Sequence, residues 1–298
     1  MNPAEEDLLH AARAEGRRAD QPATLEFGSH AVPAQIKTMT KSVAERLIIA
    51  LDVESAAQAL RLVERLQPLV GMFKVGSQLF TAAGPQIVRR IVQAGARVFL
   101  DLKFHDIPNT VAGAIAEATR LGIHILNVHA LGGSEMMRRA VEAAHKASER
   151  QNTARPRVIA VTVLTSADQK ALAEVGIDEP PAALVLRLAK LAAQVGLDGV
   201  VASPQEASLI RASLQRDDFL IVTPGVRPAS TAAHDQKRVA TPAAAIRAGA
   251  DYVVMGRAVL EAPDPEEAVR RIIEETERAL ETQMKSANLG NLASPRDV

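Results

Sequence analysis

Leu47-Ile48-Ile49-Ala50-Leu51-Asp52 is the stretch on which the fold turns. Its unbroken apolar run reads as a strand buried on both faces, as strands of a parallel sheet are. In a doubly wound open sheet, the turn after the first strand usually carries G-x-G-x-x-G. Here Ala50-Leu51-Asp52 is followed by no such pattern, which demotes that architecture to runner-up. Outward from this strand, similar runs recur at Met72–Val75, Arg97–Leu102, Ile125–Val128, Val158–Leu164, Gly199–Ala202, Leu220–Thr223 and Tyr252–Met255. Between them lie amphipathic stretches. Ala59, Leu60, Val63 and Leu66 make one stripe, Val88, Ile91 and Val92 another, and Val269, Ile272, Ile273 and Leu280 line a closing helix. Strand–helix alternation repeated eight times predicts an α/β protein with a (β/α)8 TIM barrel fold, one domain over residues 45–282. Residues 1–44 show no sustained period and read as a poorly ordered tail, and residues 283–298 as a second one.

Composition narrows the classes of function. Lys+Arg and Asp+Glu stand at 35 each in 298 residues, so no overall field draws the chain to nucleic acid or a membrane surface. With no Trp and one Tyr, a base-stacking platform is not available. Without Cys there is no disulfide, thiolate metal site or Cys nucleophile. No apolar run is long enough to span a bilayer, and the acidic start (Glu5, Glu6, Asp7) resembles neither a secretory signal nor a transit peptide. A soluble cytoplasmic protein is expected.

Function in a barrel gathers at the carboxyl ends of the strands. Those ends hold Asp52, Lys74, Asp101 with Lys103, His129, Thr165, Ser203, Gly225–Arg227 and Gly256–Arg257. Taken singly, Asp52 or Lys74 is equally well a solvated loop residue. Together, charges of alternating sign on three neighbouring strands would converge in a low-dielectric mouth and satisfy one another. The richest stretch is Asp101-Leu102-Lys103-Phe104-His105-Asp106-Ile107-Pro108-Asn109-Thr110, a D-x-K-x-x-D array. Strand alternation points Asp101 and Lys103 the same way. Charges at the end of a buried strand are costly unless paired, so this array reads as a site.

A second constellation lies on the seventh and eighth strands, in Thr223-Pro224-Gly225-Val226-Arg227-Pro228 and Met255-Gly256-Arg257. Barrels commonly seat a phosphate there, on backbone N–H groups, with an Arg gripping its oxygens. Gly256 permits close backbone approach. Gln236 sits in the polar loop Ala233-His234-Asp235-Gln236-Lys237-Arg238, which could close over a ligand, although composition alone slightly favours an ordinary solvated loop. His105 reads as a neighbour of the site, His129 as a hydrogen-bonded strand-end residue, and Gly132-Gly133 as a turn. No two His stand at i, i+4, so Mg²⁺ held by Asp and Glu is the one metal option left open.

These pieces, with Ile49-Ala50-Leu51-Asp52, Phe73-Lys74-Val75-Gly76, Val161-Thr162-Val163-Leu164-Thr165-Ser166 and Asp235-Gln236-Lys237-Arg238, resemble the orotidine 5′-phosphate decarboxylases in their common bacterial form. The motifs run in family order from about residue 46 to 260, and only the N-terminal tail looks foreign. The resemblance implies decarboxylation of orotidine 5′-phosphate to UMP without a cofactor or metal. It makes Lys103 the acid that protonates pyrimidine C6 as CO2 leaves, and sets Asp101 against the departing carboxylate. Lys74 and Asp106 would flank that pair and keep Lys103 oriented. Asp52 and Lys74 would hold the ribose hydroxyls and Thr165 the pyrimidine. Gln236 would bridge toward the phosphate, with Gly256, Arg257 and Arg227 around it. The resemblance also implies a homodimer in which Asp106, Ile107 and Thr110 reach the neighbouring subunit's site. Two alternatives stand beside it: a Mg²⁺-dependent sugar-phosphate decarboxylase or aldolase on the same barrel, and a non-catalytic nucleotide binder. The Ile107-Pro108-Asn109-Thr110 extension and the Asp235-Gln236 loop favour the nucleotide enzyme over the first. The intact Lys74, Asp101, Lys103 and Asp106 set argues against the second.

Overall fold

The computed structural model describes residues 41–228 and 240–292. A one-turn helix, α1 (Val43–Arg46), leads into strand β1 (Leu47–Ala50). The next elements are α2 (Ala56–Leu66), β2 (Met72–Gly76), α3 (Ser77–Ala83), α4 (Pro85–Gln93) and β3 (Val98–Phe104). Then come α5 (Pro108–Thr119), β4 (Ile125–His129), α6 (Gly133–Gln151), β5 (Arg157–Val161), α7 (Gln169–Glu174) and α8 (Pro181–Gln194). The chain finishes with β6 (Gly199–Val201), α9 (Pro204–Leu214), β7 (Leu220–Thr223), α10 (Pro242–Arg247), β8 (Tyr252–Met255), α11 (Arg257–Leu260) and α12 (Pro265–Leu292). Each strand pairs with the next, and β8 returns to pair in parallel with β1, closing an eight-stranded barrel. The expected (β/α)8 architecture is the observed one.

Strand periodicity explains both cores and, with them, the site. Because side chains alternate, Ile48, Met72, Phe99, Ile125, Ile159, Val222, Tyr252 and Val254 face inward and fill the barrel. Their neighbours Ile49, Phe73, Leu100, Leu126 and Val158 face outward and pack beneath the helices. The next inward positions above the apolar plug are Lys74 on β2, Asp101 on β3 and Asn127 on β4, with Asp52 just past the end of β1. The same alternation that seals the interior therefore delivers polar groups to the carboxyl-end mouth.

The opposite end of the barrel is fastened by acidic residues that precede strands. Asp198, just before β6, accepts the Val158 N–H of β5 at 2.7 Å and a two-pronged grip from Arg155 at 2.7 and 2.6 Å. Arg157 adds a second cation at 3.0 Å. Asp251, just before β8, does the same for β7, accepting the Ile221 N–H at 2.7 Å and pairing with Arg211. At the barrel floor, Lys41 Nζ donates to the Tyr252 hydroxyl at 2.8 Å.

Several boundaries differ from expectation. β5 stops at Val161 rather than Leu164; the Thr162 hydroxyl and N–H both donate to the Val201 carbonyl, at 2.9 and 3.4 Å, and the chain then bends. β3 continues to Phe104, with a register shift against β4 between Leu100 and Phe104. Ordered structure starts before residue 45: Ser42 and Glu45 form a capping box and Val43 is buried. At the other end, α12 stays helical to Leu292, past the boundary expected at 282.

Candidate active site

The mouth of β1–β4 holds a continuous charged network. Lys103 Nζ lies 2.7 Å from Asp101 Oδ1, and Lys74 Nζ lies 3.4 Å from Asp101 Oδ2 and 3.1 Å from Asp52 Oδ1. The order Asp52–Lys74–Asp101–Lys103 alternates in sign across three adjacent strands and ends in an ammonium. Asp101 sits deepest of the carboxylates, with 13% of its side chain exposed, while Asp52 is open to solvent. Burial alone would push the Asp101 carboxyl up. The charges of Lys74 and Lys103, with the hydrogen bonds from Lys103 and Asn127, outweigh it and hold Asp101 below the ordinary carboxylate value.

Lys103 reaches this position by an unusual backbone. Its φ is +50°, the left-handed region that non-glycine residues seldom adopt, and it falls within the β3 irregularity. The expectation that simple alternation would aim Asp101 and Lys103 alike thus needs amending. Both do face the mouth, but Lys103 does so through a local departure from strand geometry. Such departures cluster where the surroundings over-determine them.

The surroundings include a residue that sequence reasoning passed over. Asn127, fully buried on β4, accepts the Lys103 N–H on Oδ1 at 2.8 Å and donates from Nδ2 to Asp101 Oδ1 at 2.7 Å. A signal was present: Asn127 is the lone amide in Ile125-Leu126-Asn127-Val128, two residues after inward-facing Ile125. Next to it, the His129 and His105 rings stack with centroids 5.2 Å apart, and His129 Nδ1 accepts the Leu131 N–H. Burial, then the charges of His105 and Lys103, lower the His129 pKa.

Asp106 stays outside this network. It is exposed, and its carboxylate accepts the Ile107 N–H at 2.6 Å. Ile107, 67% exposed, and Thr110, also exposed, lie beside it at the start of α5. Thr165 is half-buried in the turn after β5.

The β7–β8 constellation abuts the charged network. Gly225 takes φ +77°, so its turn needs a glycine. Arg227 is buried, and its N–H donates to the Ala240 carbonyl at 3.1 Å, tying together the two ends of segment 229–239. Gln236 lies in that segment, outside the described residues. Gly256 caps α11, and a Cβ placed on it would come within 3.7 Å of Asp52 Oδ2. Arg257, exposed, opens α11. Among the described residues no three His, Cys, Asp or Glu side chains are grouped to hold a metal ion.

Comparison with known proteins agrees with this geometry. Residues 45–272 match the family described as orotidine 5′-phosphate decarboxylase / HUMPS, a span that contains every strand of the barrel. The orotidine 5′-phosphate decarboxylase of Geobacter sulfurreducens is 56% identical over 238 residues, covering 80% of this chain and 98% of that protein. The enzyme of the same name from Geotalea daltonii is 53% identical over the same length and coverage. Among solved structures, orotidine 5′-phosphate decarboxylase from Lactobacillus acidophilus aligns with a TM-score of 0.68 at 38% identity, over 77% of this chain and 98% of its own. With the barrel, the charged mouth and these relatives in agreement, the chain belongs to the orotidine 5′-phosphate decarboxylase / HUMPS family.

Proposed function

We infer that this chain is a carboxy-lyase that converts orotidine 5′-phosphate to UMP and CO2, a step of pyrimidine nucleotide synthesis. The observation that carries the reading is the Lys103 ammonium held 2.7 Å from the buried carboxylate of Asp101 at the barrel mouth. In the reaction the C6–carboxylate bond breaks, CO2 departs, and the bonding electron pair stays on C6. Lys103 Nζ stabilises that developing carbanion and delivers a proton to it; water then restores the proton to the amine. An ammonium fixed before the charge develops needs no reorganisation at the moment of reaction. No cofactor is required in this scheme, because the ammonium takes the place of an electron sink.

The remaining roles are assigned by the resemblance to the family. Asp101 lies against the substrate carboxylate, where repulsion is relieved as CO2 leaves. Lys74 bridges Asp101 and Asp52, and with Asp52 holds the ribose hydroxyls. Thr165 contacts the pyrimidine. Arg227, Gly256 and Arg257 receive the phosphate, and Gln236 bridges toward it. Phosphate binding at a distance from the reacting carbon lets remote contacts support the transition state. The activity resides in the barrel of residues 45–282, in the cytoplasm.

We also propose a homodimer. Asp106, Ile107 and Thr110 form an exposed cluster at the rim, turned away from their own chain's network. In the dimer they enter the partner's mouth, where Asp106 joins the array beside Lys103 and Lys74.

A direct test follows the ultraviolet absorbance of orotidine 5′-phosphate mixed with EDTA-treated protein. Rapid loss of substrate with release of UMP is expected. Turnover only after Mg²⁺ is added, and on a sugar phosphate, would overturn the assignment. Both carboxylates that a cation would need, Asp52 and Asp101, are already engaged by Lys74 and Lys103.

A further inference from the structure

We propose that Asn127 is a positioning residue for this reaction: its side-chain amide locks Lys103 in the left-handed conformation and aims its ammonium. The inference rests on the function proposed above. Both ends of the amide are used. Oδ1 takes the Lys103 N–H at 2.8 Å, and Nδ2 donates at 2.7 Å to Asp101 Oδ1, the same oxygen that receives Lys103 Nζ at 2.7 Å. The orientation of the amide is not free. A backbone N–H can only donate and an ionised carboxylate can only accept, so the two partners fix which end is oxygen and which is nitrogen. The result is a closed circuit: Lys103 backbone, Asn127 amide, Asp101 carboxylate, Lys103 ammonium.

That circuit supplies what local sequence does not. A lysine has no intrinsic preference for φ +50°; Asn127 anchors the peptide plane from which that angle departs, and Asp101 holds the ammonium at the other end. Full burial of Asn127 leaves no water to replace either hydrogen bond. Asn127 touches no reacting atom in this scheme. It acts through Lys103 and Asp101, so its loss should fall on kcat more than on binding of the phosphate and ribose.

Two substitutions separate this role from plain packing. Asn127→Ala removes both hydrogen bonds. Asn127→Asp, nearly isosteric, keeps the acceptor for Lys103 and loses the donor to Asp101. The introduced carboxyl then faces Asp101 at hydrogen-bond distance, with Lys103 and Lys74 as the neighbouring cations and His129 on the same strand. Two carboxyls so close share a proton at higher pH than either alone. Once protonated, the introduced group donates to Asp101 as the amide did. Steady-state turnover of orotidine 5′-phosphate is measured for wild type and both variants from pH 5.5 to 8.5, with UMP affinity by titration calorimetry. The expected result is a fall in kcat of about 100-fold for Asn127→Ala, comparable to the loss of one preorganised donor, with UMP affinity within about threefold. For Asn127→Asp, the rate relative to wild type should climb as pH falls, and that of Asn127→Ala should not. Equal relative rates for the two variants at every pH, or kcat and UMP affinity falling together, would overturn the proposal. An inactive wild type would sink the proposed function instead, and the wild-type arm reports that separately.

Discussion

The amine of Lys103 and the carboxylate of Asp101 are 2.7 Å apart at the top of one strand, yet they belong to backbone of opposite hand. Asp101 continues the pleat of β3, whereas Lys103 breaks it with φ +50°. The pair is therefore held by groups on other strands: Asn127 on β4 and Lys74 on β2. An arrangement fixed from both neighbouring strands keeps its geometry when the substrate arrives, which is what electrostatic stabilisation of a short-lived carbanion requires.

Lys103→Ala should lower kcat by at least about 10³-fold, roughly 4 kcal/mol of transition-state stabilisation. Single-turnover absorbance assays on folded protein check this. A loss smaller than tenfold would mean the proton comes from elsewhere.

Asp106 offers a test of the dimer. Lys103→Ala and Asp106→Ala should each be nearly inactive alone. In mixed dimers one mouth collects both defects and the other neither. Mixing equal amounts and allowing subunits to exchange should then restore about a quarter of wild-type activity, as two-fold symmetry dictates. No recovery after exchange, verified by mass-tagged subunits, would place Asp106 in its own chain's site or out of the reaction.

Asp198 concerns stability rather than rate. Burial alone would raise its pKa, but Arg155, the Val158 N–H and Arg157 outweigh burial and hold it below the ordinary carboxylate value. A lowered native pKa means that the stabilisation is complete above the unfolded value, about 3.9, and is lost as pH falls through the native one. Asp198→Asn should therefore lower unfolding free energy at pH 7 by about 3 kcal/mol, the low end of the range for breaking a buried pair, because both arginines are partly exposed. The deficit should shrink below about pH 4, where the wild-type carboxyl also begins to protonate. Urea melts at pH 7 and pH 3 check both statements, and kcat should stay at the wild-type level, since Asp198 sits at the far end of the barrel.

Much of this was legible because barrel strands obey a period of two. Asp52, Lys74 and Asp101 stand at inward positions above Ile48, Met72 and Phe99, so their convergence follows from alternation once the barrel is recognised. Asn127 obeys the same rule above Ile125, but an uncharged amide at a strand end carries no local mark of its two partners, which come from a different strand. The left-handed Lys103 was illegible for the same reason. It goes with a hydrogen bond across strands, from the Lys103 N–H to Asn127, that no local sequence feature marks. The Thr162 hydroxyl at the end of β5 likewise has its acceptor, the Val201 carbonyl, on β6, a partner that appears only on folding.

Closure of the barrel through β1 and β8 also orders events on the ribosome. β1 is the first strand made, and the partner on its other edge, Tyr252–Met255, is among the last. Until then the nascent sheet carries two unpaired edges, each able to pair with another chain. Gly256, beside Asp52, arrives with that last strand. If the proposed site is right, no shorter nascent chain holds all of it, so catalytic competence and protection from strand-to-strand aggregation are gained in the same step.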